Sequence, residues 1–283
     1  MDTLASFAER LGDSVANTAG WGALLAKLDS TETDIQDLTA EVGREPGLAS
    51  RVLRLANSAS IGMPGRIASL HRALVLLGQK RVRTLVLSTM VLNSLKGKGE
   101  IPLDMTTFCR HGAVTGLIAE SIARHLRRYC RIDVEEAFAA GIVHDMGKLA
   151  LAAICPGVFL AAREKGGARN VPYHQAEDDR MNHLRAGAIL GEAWHFPAPL
   201  VASLSAHHEP CPAGPFATLV QVVSLADCMA HRLGYSSYGG EYPPGIDEQV
   251  LGSLPLPLER LKVIAEAVVA HQEQVEALES AFI

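Results

Sequence analysis

The sequence predicts an all-α protein built from many helices. Apolar residues recur at helical spacing, as in Val52, Leu55 and Ala56, and the sustained alternation of apolar and polar residues that would predict strands is absent. Residues that begin or break helices also recur at short intervals along the chain. Together these observations favour an N-terminal helical subdomain followed by a larger helical bundle.

Helix boundaries can be placed along the chain from local residue chemistry. Pro46 can open a helix, because proline fits the first helical turn, and Asn57 can cap the end of that helix. Gly78 predicts a junction between two helices, and Asp104 can cap the start of another. Residues 234–246 are rich in Gly, Ser, Tyr and Pro, and we expect a surface loop there.

The chain divides into two unequal halves in this interpretation. Gly97-Lys98-Gly99 breaks the helical pattern, so we place a boundary near residues 96–103. An N-terminal helical half, residues 1–100, then precedes a C-terminal helical half with a C-terminal helix, residues 101–283. The C-terminal half contains ten of the eleven histidines, which directs the search for a functional site to it.

Composition and charge exclude several classes of protein. The chain has 283 residues, of which 48% are hydrophobic and 20% charged, as in a soluble globular protein. A net charge of −5 gives no general attraction to nucleic acid or to an anionic membrane, although Arg81-Val82-Arg83 and Arg127-Arg128 are small basic patches. We therefore do not expect a nucleic-acid partner.

Cysteine usage and apolar segments bear on the cellular compartment. The five cysteines are scattered and never spaced as C-x-x-C, so a disulfide framework or a zinc finger is not expected. Residues 1–10 lack a basic segment followed by an apolar run, and the apolar stretch 149–162 is interrupted by Pro156-Gly157. We expect a cytoplasmic protein without a transmembrane helix.

Histidines and aspartates of the C-terminal half form a candidate metal-ligand set. Neutral imidazole and ionised carboxylate suit iron, manganese, zinc or nickel, and this number of donors fits one or two divalent ions. The seven candidates are His111, His144, Asp145, His183, His207, His208 and Asp227.

The His144-Asp145 pair is the centre of this set. The apolar run 137–143 precedes it and would carry the pair into the interior, where a charge without a partner is costly and a metal would relieve the cost. Gly147-Lys148 completes an H-D-x-G-K pattern, so Lys148 could bind a phosphate oxygen or pair with a carboxylate. A buried, hydrogen-bonded His-Asp pair without metal is the structural alternative.

Other histidines are weaker candidates, and Asp227 also has an alternative interpretation. His71, His125, His231 and His271 are expected to be non-ligands, whereas His174 and His195 flank His183 and are harder to assign. Asp227 could instead be a carboxylate on a helix surface.

The candidate residues resemble those of the HD superfamily of metal-dependent phosphohydrolases. His111, His144-Asp145 and Asp227 match its pattern of an early histidine, an HD pair and a late aspartate, and His183 with His207-His208 resembles the expanded ligand set of the binuclear HD-GYP branch. The residues after His208 lack a G-Y-P loop, and the later Glu241-Tyr242-Pro243 is not that motif. Cyclic dinucleotide hydrolysis is therefore not expected.

A more specific resemblance is to the HDOD family, over most of the chain between residues 34 and 231. It implies an HD-domain-like helical bundle and a regulatory role in bacterial signal transduction, with another signalling protein as partner. The matching segments are Glu45-Pro46-Gly47-Leu48, Leu53-Arg54-Leu55-Ala56-Asn57-Ser58-Ala59, Ile67-Ala68-Ser69-Leu70-His71-Arg72-Ala73, Leu76-Leu77-Gly78, His183, Gly187-Ala188, Leu190, Trp194, Phe196-Pro197 and His207-His208.

Two functional hypotheses follow from these resemblances. In the first, the chain is a signalling protein whose metal site is structural or sensory. In the second, it is a metal-dependent phosphohydrolase with Asp145 and Lys148 as catalytic residues, where the metals activate a water and neutralise a phosphate. Its substrate would be a phosphomonoester, a nucleotide or a cyclic nucleotide. Neither hypothesis includes an organic cofactor.

Overall fold

The computed structural model of the chain describes residues 3–16, 21–30, 32–57, 67–95, 99–209 and 212–282, and it is all-helical. Within these ranges the only β-type pairing is an isolated bridge between Asp178 and Met181. The predicted all-α fold class is therefore confirmed. The predicted break at Gly97-Lys98-Gly99 and the residues that follow Asn57 lie largely outside the described ranges.

The helices divide into a group of five and a longer C-terminal series. The first group is α1 (Leu4–Ala16), α2 (Gly22–Asp29), α3 (Ile35–Gly43), α4 (Pro46–Ala56) and α5 (Leu70–Leu95). The series continues with α6 (Met105–Leu126), α7 (Val134–Val143), α8 (Met146–Ile154), α9 (Pro156–Arg169), α10 (Tyr173–Ala176), α11 (His183–Ala193), α12 (Ala198–Ala206), α13 (Ala217–Arg232), α14 (Glu248–Ser253), α15 (Leu258–Ala270) and α16 (Gln272–Phe282).

The helix boundaries predicted from single residues are confirmed. Pro46 occupies the first position of α4, which ends at Ala56 with Asn57 as its C-cap. Gly78 has φ 73° and ψ 163°, so it kinks α5 at the predicted junction. The Asp104 side chain accepts hydrogen bonds from the backbone N–H groups of Thr106 and Thr107 in the first turn of α6.

Several helices of the C-terminal series approach one another closely at glycine residues. A Cβ atom on Gly141 of α7 would lie 2.7 Å from the Cα atom of Gly116 of α6, so only glycine allows these helices to approach so closely. A Cβ atom on Gly147 of α8 would collide with the carbonyl oxygen of His183 at the start of α11. These contacts draw α6, α7, α8 and α11 together around one point.

The core continues across the boundary predicted near residue 100. One cluster of buried apolar side chains includes Leu55 and Leu85 from the first five helices as well as Leu117 and Leu149 from later ones. Helix α16 packs against α4 and α6, and α1 packs against α8 and α11. The division into residues 1–100 and 101–283 stays a prediction.

A buried ion-pair network also joins α5 to α6 and α7. The Arg81 guanidinium contacts Glu120 at 2.6 Å and Glu135 at 2.5 Å, and it lies over the Phe138 ring. Arg83 pairs with Asp29. Both arginines of the Arg81-Val82-Arg83 patch therefore form ion pairs within the chain.

One described segment, Val134–Ile154, has the length and apolar composition of a membrane span. Its most apolar window is entirely buried inside the fold. The segment contains α7, the His144-Asp145 pair and α8. Complete burial by other helices and a central charged pair are typical of core helices in a folded domain.

Candidate metal centre

His111, His144 and Asp227 form the first cluster of donor atoms. His111 comes from the middle of α6, His144 directly follows α7, and Asp227 lies on α13. The Nε2 atoms of the two histidines are 3.3 Å apart, and they lie 3.2 Å and 3.6 Å from Asp227 Oδ1. All three side chains are buried. We refer to this cluster as the first triad.

His183, His207 and His208 form a second cluster, which we call the second triad. His183 begins α11, and His207-His208 directly follows α12. The Nε2 atoms of His183 and His207 are 3.3 Å apart. One ligand atom from each of the three rings lies within 4.8 Å of the others.

Asp145 lies between the two triads and presents one carboxylate oxygen to each. Its Oδ2 atom is 3.6 Å from Nε2 of His111 and 3.6 Å from Nε2 of His144. Its Oδ1 atom is 3.5 Å from Nε2 of His207 and 3.8 Å from Nε2 of His183. This carboxylate could therefore bridge two ions, one in each triad. The structure brings all seven predicted residues together at this point.

Hydrogen bonds at Nδ1 orient four of the five histidine rings. The Nδ1 atoms of His111, His144 and His207 lie 2.7 to 2.8 Å from backbone carbonyl oxygens, those of Tyr235, Gly141 and Ser203 respectively. Nδ1 of His183 lies 2.5 Å from a carboxylate oxygen of Glu177. Because each Nδ1 faces an acceptor, it carries the proton, and the Nε2 lone pairs point into the centre.

This arrangement of protons makes the centre fit divalent cations. Two Nε2 lone pairs 3.3 Å apart repel each other unless a cation lies nearby. Oδ1 of Asp145 and Oδ1 of Asp227 are buried without a hydrogen-bond partner, which is costly for a carboxylate. Neutral imidazoles with outward hydrogen bonds and ionised carboxylates are the forms in which these side chains bind metal.

The electrostatics favour a neutral His207 and ionised aspartates, whereas Asp145 and Asp227 outweigh burial and raise the pKa of His144. Burial lowers the pKa of His207 to about 4, so its ring is neutral at pH 7. Burial is the largest single influence on Asp145 and would raise its pKa, but Lys148, followed by His144, His207 and His111, together outweigh burial and hold that pKa well below its usual range. Asp227 behaves in the same way, with His231 as the main opposing neighbour.

Lys148 lies beside the centre, and the structure shows it engaged. Its Nζ atom is 2.9 Å from Asp145 Oδ2, 3.0 Å from Ser237 Oγ and 3.3 Å from Glu241 Oε1. Burial would lower its pKa, but the charges of Asp145 and Glu241 raise it instead. Of the two roles that its position in the sequence allowed, pairing with a carboxylate is the one seen here.

Several residues around the centre were not predicted from the sequence. Glu177 holds the His183 ring, and Glu241 holds Lys148. His231, expected to be a non-ligand, is buried with Nδ1 3.6 Å from Asp227 Oδ1 and its ring centroid 4.7 Å from that of His111. The four-residue spacing of Asp227 and His231 on α13 is the one sequence signal that could have found it.

The remaining histidines lie outside the two triads. His174 stacks on His208 with ring centroids 4.0 Å apart, so it contacts the centre from outside. His195 is exposed and has a positive φ of 51°, which suits a chain reversal after α11. His71, His125 and His271 belong to none of the donor clusters found among the described residues.

Residues 234–246 differ from the surface loop that the sequence predicted. They are free of helix as expected, but Ser237 is fully buried and Tyr238 is 5% exposed. The backbone carbonyl of Tyr235 holds the His111 ring, and Glu241 reaches Lys148. The segment covers the centre because its polar groups form hydrogen bonds and an ion pair with residues there. The composition of the segment does not reveal these contacts.

Comparison with known proteins places the chain in a family. It is 22% identical over 227 residues to an uncharacterised protein of Treponema pallidum, and it spans only 43% of that relative's length. A crystal structure from Shewanella amazonensis named "Putative phosphohydrolase" matches with a TM-score of 0.73 and 22% identity, covering 96% of this chain and 98% of that one. A "Putative signal transduction protein" from Marinobacter aquaeolei matches with a TM-score of 0.76 and 19% identity, covering 99% and 66%.

At these identities the two solved structures show a shared fold. The sequence evidence is more specific, because the family model of the HDOD domain matches residues 21–210, which is more than half of the chain. That match includes six of the seven candidate ligands and ends before Asp227. The chain belongs to the HDOD domain family.

Proposed function

We propose that this protein is a bacterial signal-transduction regulator that carries an intact binuclear HD-type metal centre. The observation that supports a binuclear centre is the position of Asp145, whose two carboxylate oxygens face two adjoining groups of donor atoms. A site for a single ion would need only one of those groups.

Seven residues of the chain would hold the two ions. The first triad would bind one ion, the second triad would bind the other, and Asp145 would bridge them. Histidine with carboxylate suits iron, manganese, zinc or nickel. When bound, such cations neutralise negative charge on a phosphoryl group and make a water molecule more acidic.

A structural or sensory role is supported by the burial of the centre. The side chains of His111, His144, His183 and His207 have no exposed surface, and that of Asp145 is 4% exposed. Residues 234–246 cover the centre, and Lys148 is paired inside the chain. Bound metal would hold α6, α7, α11, α12 and α13 together. The surface of this bundle would then signal to another protein whether metal is bound.

Metal-dependent phosphohydrolysis is the second candidate, and the position of Lys148 favours it. The ammonium group lies within 2.9 Å of the proposed bridging carboxylate, where it could hold a phosphate oxygen if the contact with Glu241 were broken. Asp145 would then position the metals, and a phosphomonoester, a nucleotide or a cyclic nucleotide would be the substrate.

Metal content of site variants tests the binuclear centre. Protein reconstituted with manganese or iron should hold two ions per chain, and His111→Ala and His183→Ala should each lose about one ion. His271→Ala is the matched control, because that ring is exposed and lies outside both triads. A wild-type protein that holds no stoichiometric metal under any reconstitution would overturn the proposal.

Turnover assays separate the two candidate functions. The metal-loaded protein should be tested with phosphomonoesters, nucleotides and cyclic dinucleotides. A fully loaded protein that is inert supports the regulatory role. Turnover that disappears in Asp145→Ala would instead establish the hydrolase.

A further inference from the structure

A loop of the chain places an acidic side chain against Lys148 at the centre. We call residues 234–246 the strap. Both oxygens of Glu241 in the strap are engaged: Oε1 lies 3.3 Å from Lys148 Nζ, and Oε2 lies 3.2 Å from His231 Nε2. Oε2 also accepts from Ser237, at 2.8 Å from Oγ and 3.3 Å from the backbone N–H.

These partners form a cradle for an oxyanion. An ammonium group, an imidazole, a hydroxyl and a backbone N–H all converge on two oxygens, which is the pattern that proteins use to bind carboxylate or phosphate. The Glu241 side chain is 2% exposed, so solvent does not reach the cradle in this conformation. The donors are therefore fully used by a group of the same chain.

The strap has a position at which it could bend without disturbing the triads. Gly240 has φ 80°, a conformation that favours glycine, and it directly precedes Glu241. Before this point, the Tyr235 carbonyl holds His111 and the Tyr238 ring packs against Tyr173. A rotation at Gly240 would withdraw Glu241 while these anchors stay in place.

A cavity of about 380 Å³ adjoins the distal part of the strap. Pro244, Gly245 and Ile246 form one wall, and His208 of the second triad forms part of another. Withdrawal of residues 241–246 would widen this cavity next to the donor atoms. Such a movement would open a path for a ligand from this cavity toward His208 and the centre.

We propose that the strap is a gate in which Glu241 acts as an internal anion. A ligand bearing a phosphate group binds to the cradle of Lys148, His231 and Ser237 only after Glu241 leaves it. The inference rests on the proposed function in one respect: the two metals would bind the remaining phosphate oxygens. Because the closed state must open first, the apparent affinity for phosphate is reduced by the fraction of open molecules.

Phosphate binding by the metal-loaded, full-length protein tests this gate. Inorganic phosphate should be titrated calorimetrically into the wild type, Glu241→Gln and Glu266→Gln. Glu241→Gln removes the internal charge, and we expect it to bind phosphate at least about tenfold more tightly than the wild type. Glu266→Gln makes the same change at an exposed position of α15 and should match the wild type.

A double variant identifies the cradle as the place where phosphate binds. Adding Lys148→Met to Glu241→Gln should remove the gain, because the ammonium donor is lost. Metal content and thermal unfolding of each variant should be measured first. Equal phosphate affinity in folded, metal-loaded Glu241→Gln and wild type would overturn the gate, as would a gain that survives Lys148→Met.

Hydrogen exchange of the strap gives a readout that does not depend on metal. The Ser237 N–H donates to Glu241 in the closed state. Exchange over residues 236–246 should therefore be faster in Glu241→Gln than in the wild type, and Glu266→Gln should be unchanged. If the protein binds no metal, the binuclear proposal fails, while faster exchange still supports the gate and unchanged exchange refutes it.

Discussion

Nε2 of His111 lies 3.3 Å from Nε2 of His144, and the Nδ1 atom of each ring faces a backbone carbonyl. Two imidazoles in this arrangement cannot hydrogen-bond to each other while both protons stay on Nδ1. The pair of His183 and His207 repeats the relationship at the same distance. The fold thus holds two pairs of electron-rich nitrogens at close range, which is the preorganisation that a metal site requires.

The close contact at Gly147 should be essential for this preorganisation. In Gly147→Ala the new methyl group would collide with the His183 carbonyl and lie 2.8 Å from the Gly187 backbone nitrogen, which separates α8 from α11. We expect a loss of about 3 kcal/mol or more in the free energy of unfolding, together with loss of metal. Chemical denaturation and metal analysis would measure both.

Gly157→Ala is the matched control for this substitution. A Cβ atom on Gly157 meets nothing within 4 Å, and the residue lies in the first turn of α9. Alanine should leave metal content unchanged and be neutral or stabilising by up to about 1 kcal/mol. Similar losses in the two variants would mean that the Gly147 contact has no special role.

The candidate ligands of this centre could be predicted from the sequence, because histidine and aspartate are rarely buried without a hydrogen-bond, charge or metal partner. A His-Asp pair after an apolar helix needs a partner in the interior, and this reasoning led to His144 and Asp145. Helix caps such as Asp104 and breaks such as Gly78 were predictable for a similar reason, since they depend on a few neighbouring residues.

The surroundings of the centre could not be predicted in the same way. Glu177 and Glu241 are ordinary surface residue types, and their roles depend on which helices and loops lie opposite them. Arg81 similarly looks like part of a basic patch in the sequence, whereas in the structure it pairs with Glu120 of α6 and Glu135 of α7. Contacts between residues far apart in the chain carry no local signal.

The Arg81 ion pair should contribute strongly to stability. Both Arg81 and Glu120 have side chains that are 9% exposed, so Arg81→Met would leave a buried carboxylate with a weaker set of partners. We expect a loss of about 3 kcal/mol in the free energy of unfolding. Urea denaturation would measure it.

Arg124→Met provides the comparison, because Arg124 pairs with the same carboxylate but is 54% exposed. The expected loss is below about 1 kcal/mol. If Arg81→Met lowers the free energy of unfolding no more than Arg124→Met does, the buried and the exposed arginine stabilise Glu120 equally, which would contradict the prediction.

Glu177 should increase the metal affinity of the second triad without binding metal itself. Its carboxylate holds Nδ1 of His183 and also accepts from the His183 backbone N–H. Glu177→Ala frees the ring to rotate, and we expect metal affinity to fall by about 10- to 100-fold. Competition with a fluorescent chelator would measure the dissociation constants.

The nearby Asp179→Ala removes an exposed carboxylate from the same loop and should leave affinity unchanged. A difference of less than about twofold between Glu177→Ala and the wild type would contradict the orienting role. The affinity of the first triad, followed in the same titration as the second ion, should change little in either variant.

Acidification should destabilise the metal-free protein. Burial lowers the pKa of His207 and of His174 to about 4, and it also lowers the pKa values of His208 and His231. In the unfolded chain these rings take up protons near pH 6.5. In the folded chain His207 and His174 stay neutral until about pH 4, and the pKa values of His208 and His231 are shifted in the same direction. Because the unfolded state then binds more protons, stability falls as the pH drops from about 6.5 to 4.

Other groups do not reverse this sign. The pKa of His144 is raised, because Asp145 and Asp227 outweigh burial. Protonation of this ring therefore stabilises the folded state at low pH. Four rings with lowered pKa values destabilise it on acidification, so the net effect is a loss of stability. The lowered pKa values of Asp145 and Asp227 affect stability only below about pH 4, outside the range from about pH 6.5 to 4.

Thermal unfolding of chelator-treated protein between pH 7.5 and 4.5 measures this effect. The midpoint temperature of unfolding should fall with pH, and His174→Gln should make the decline shallower. A midpoint that is constant or rises on acidification would contradict the neutral, buried rings on which the metal centre depends.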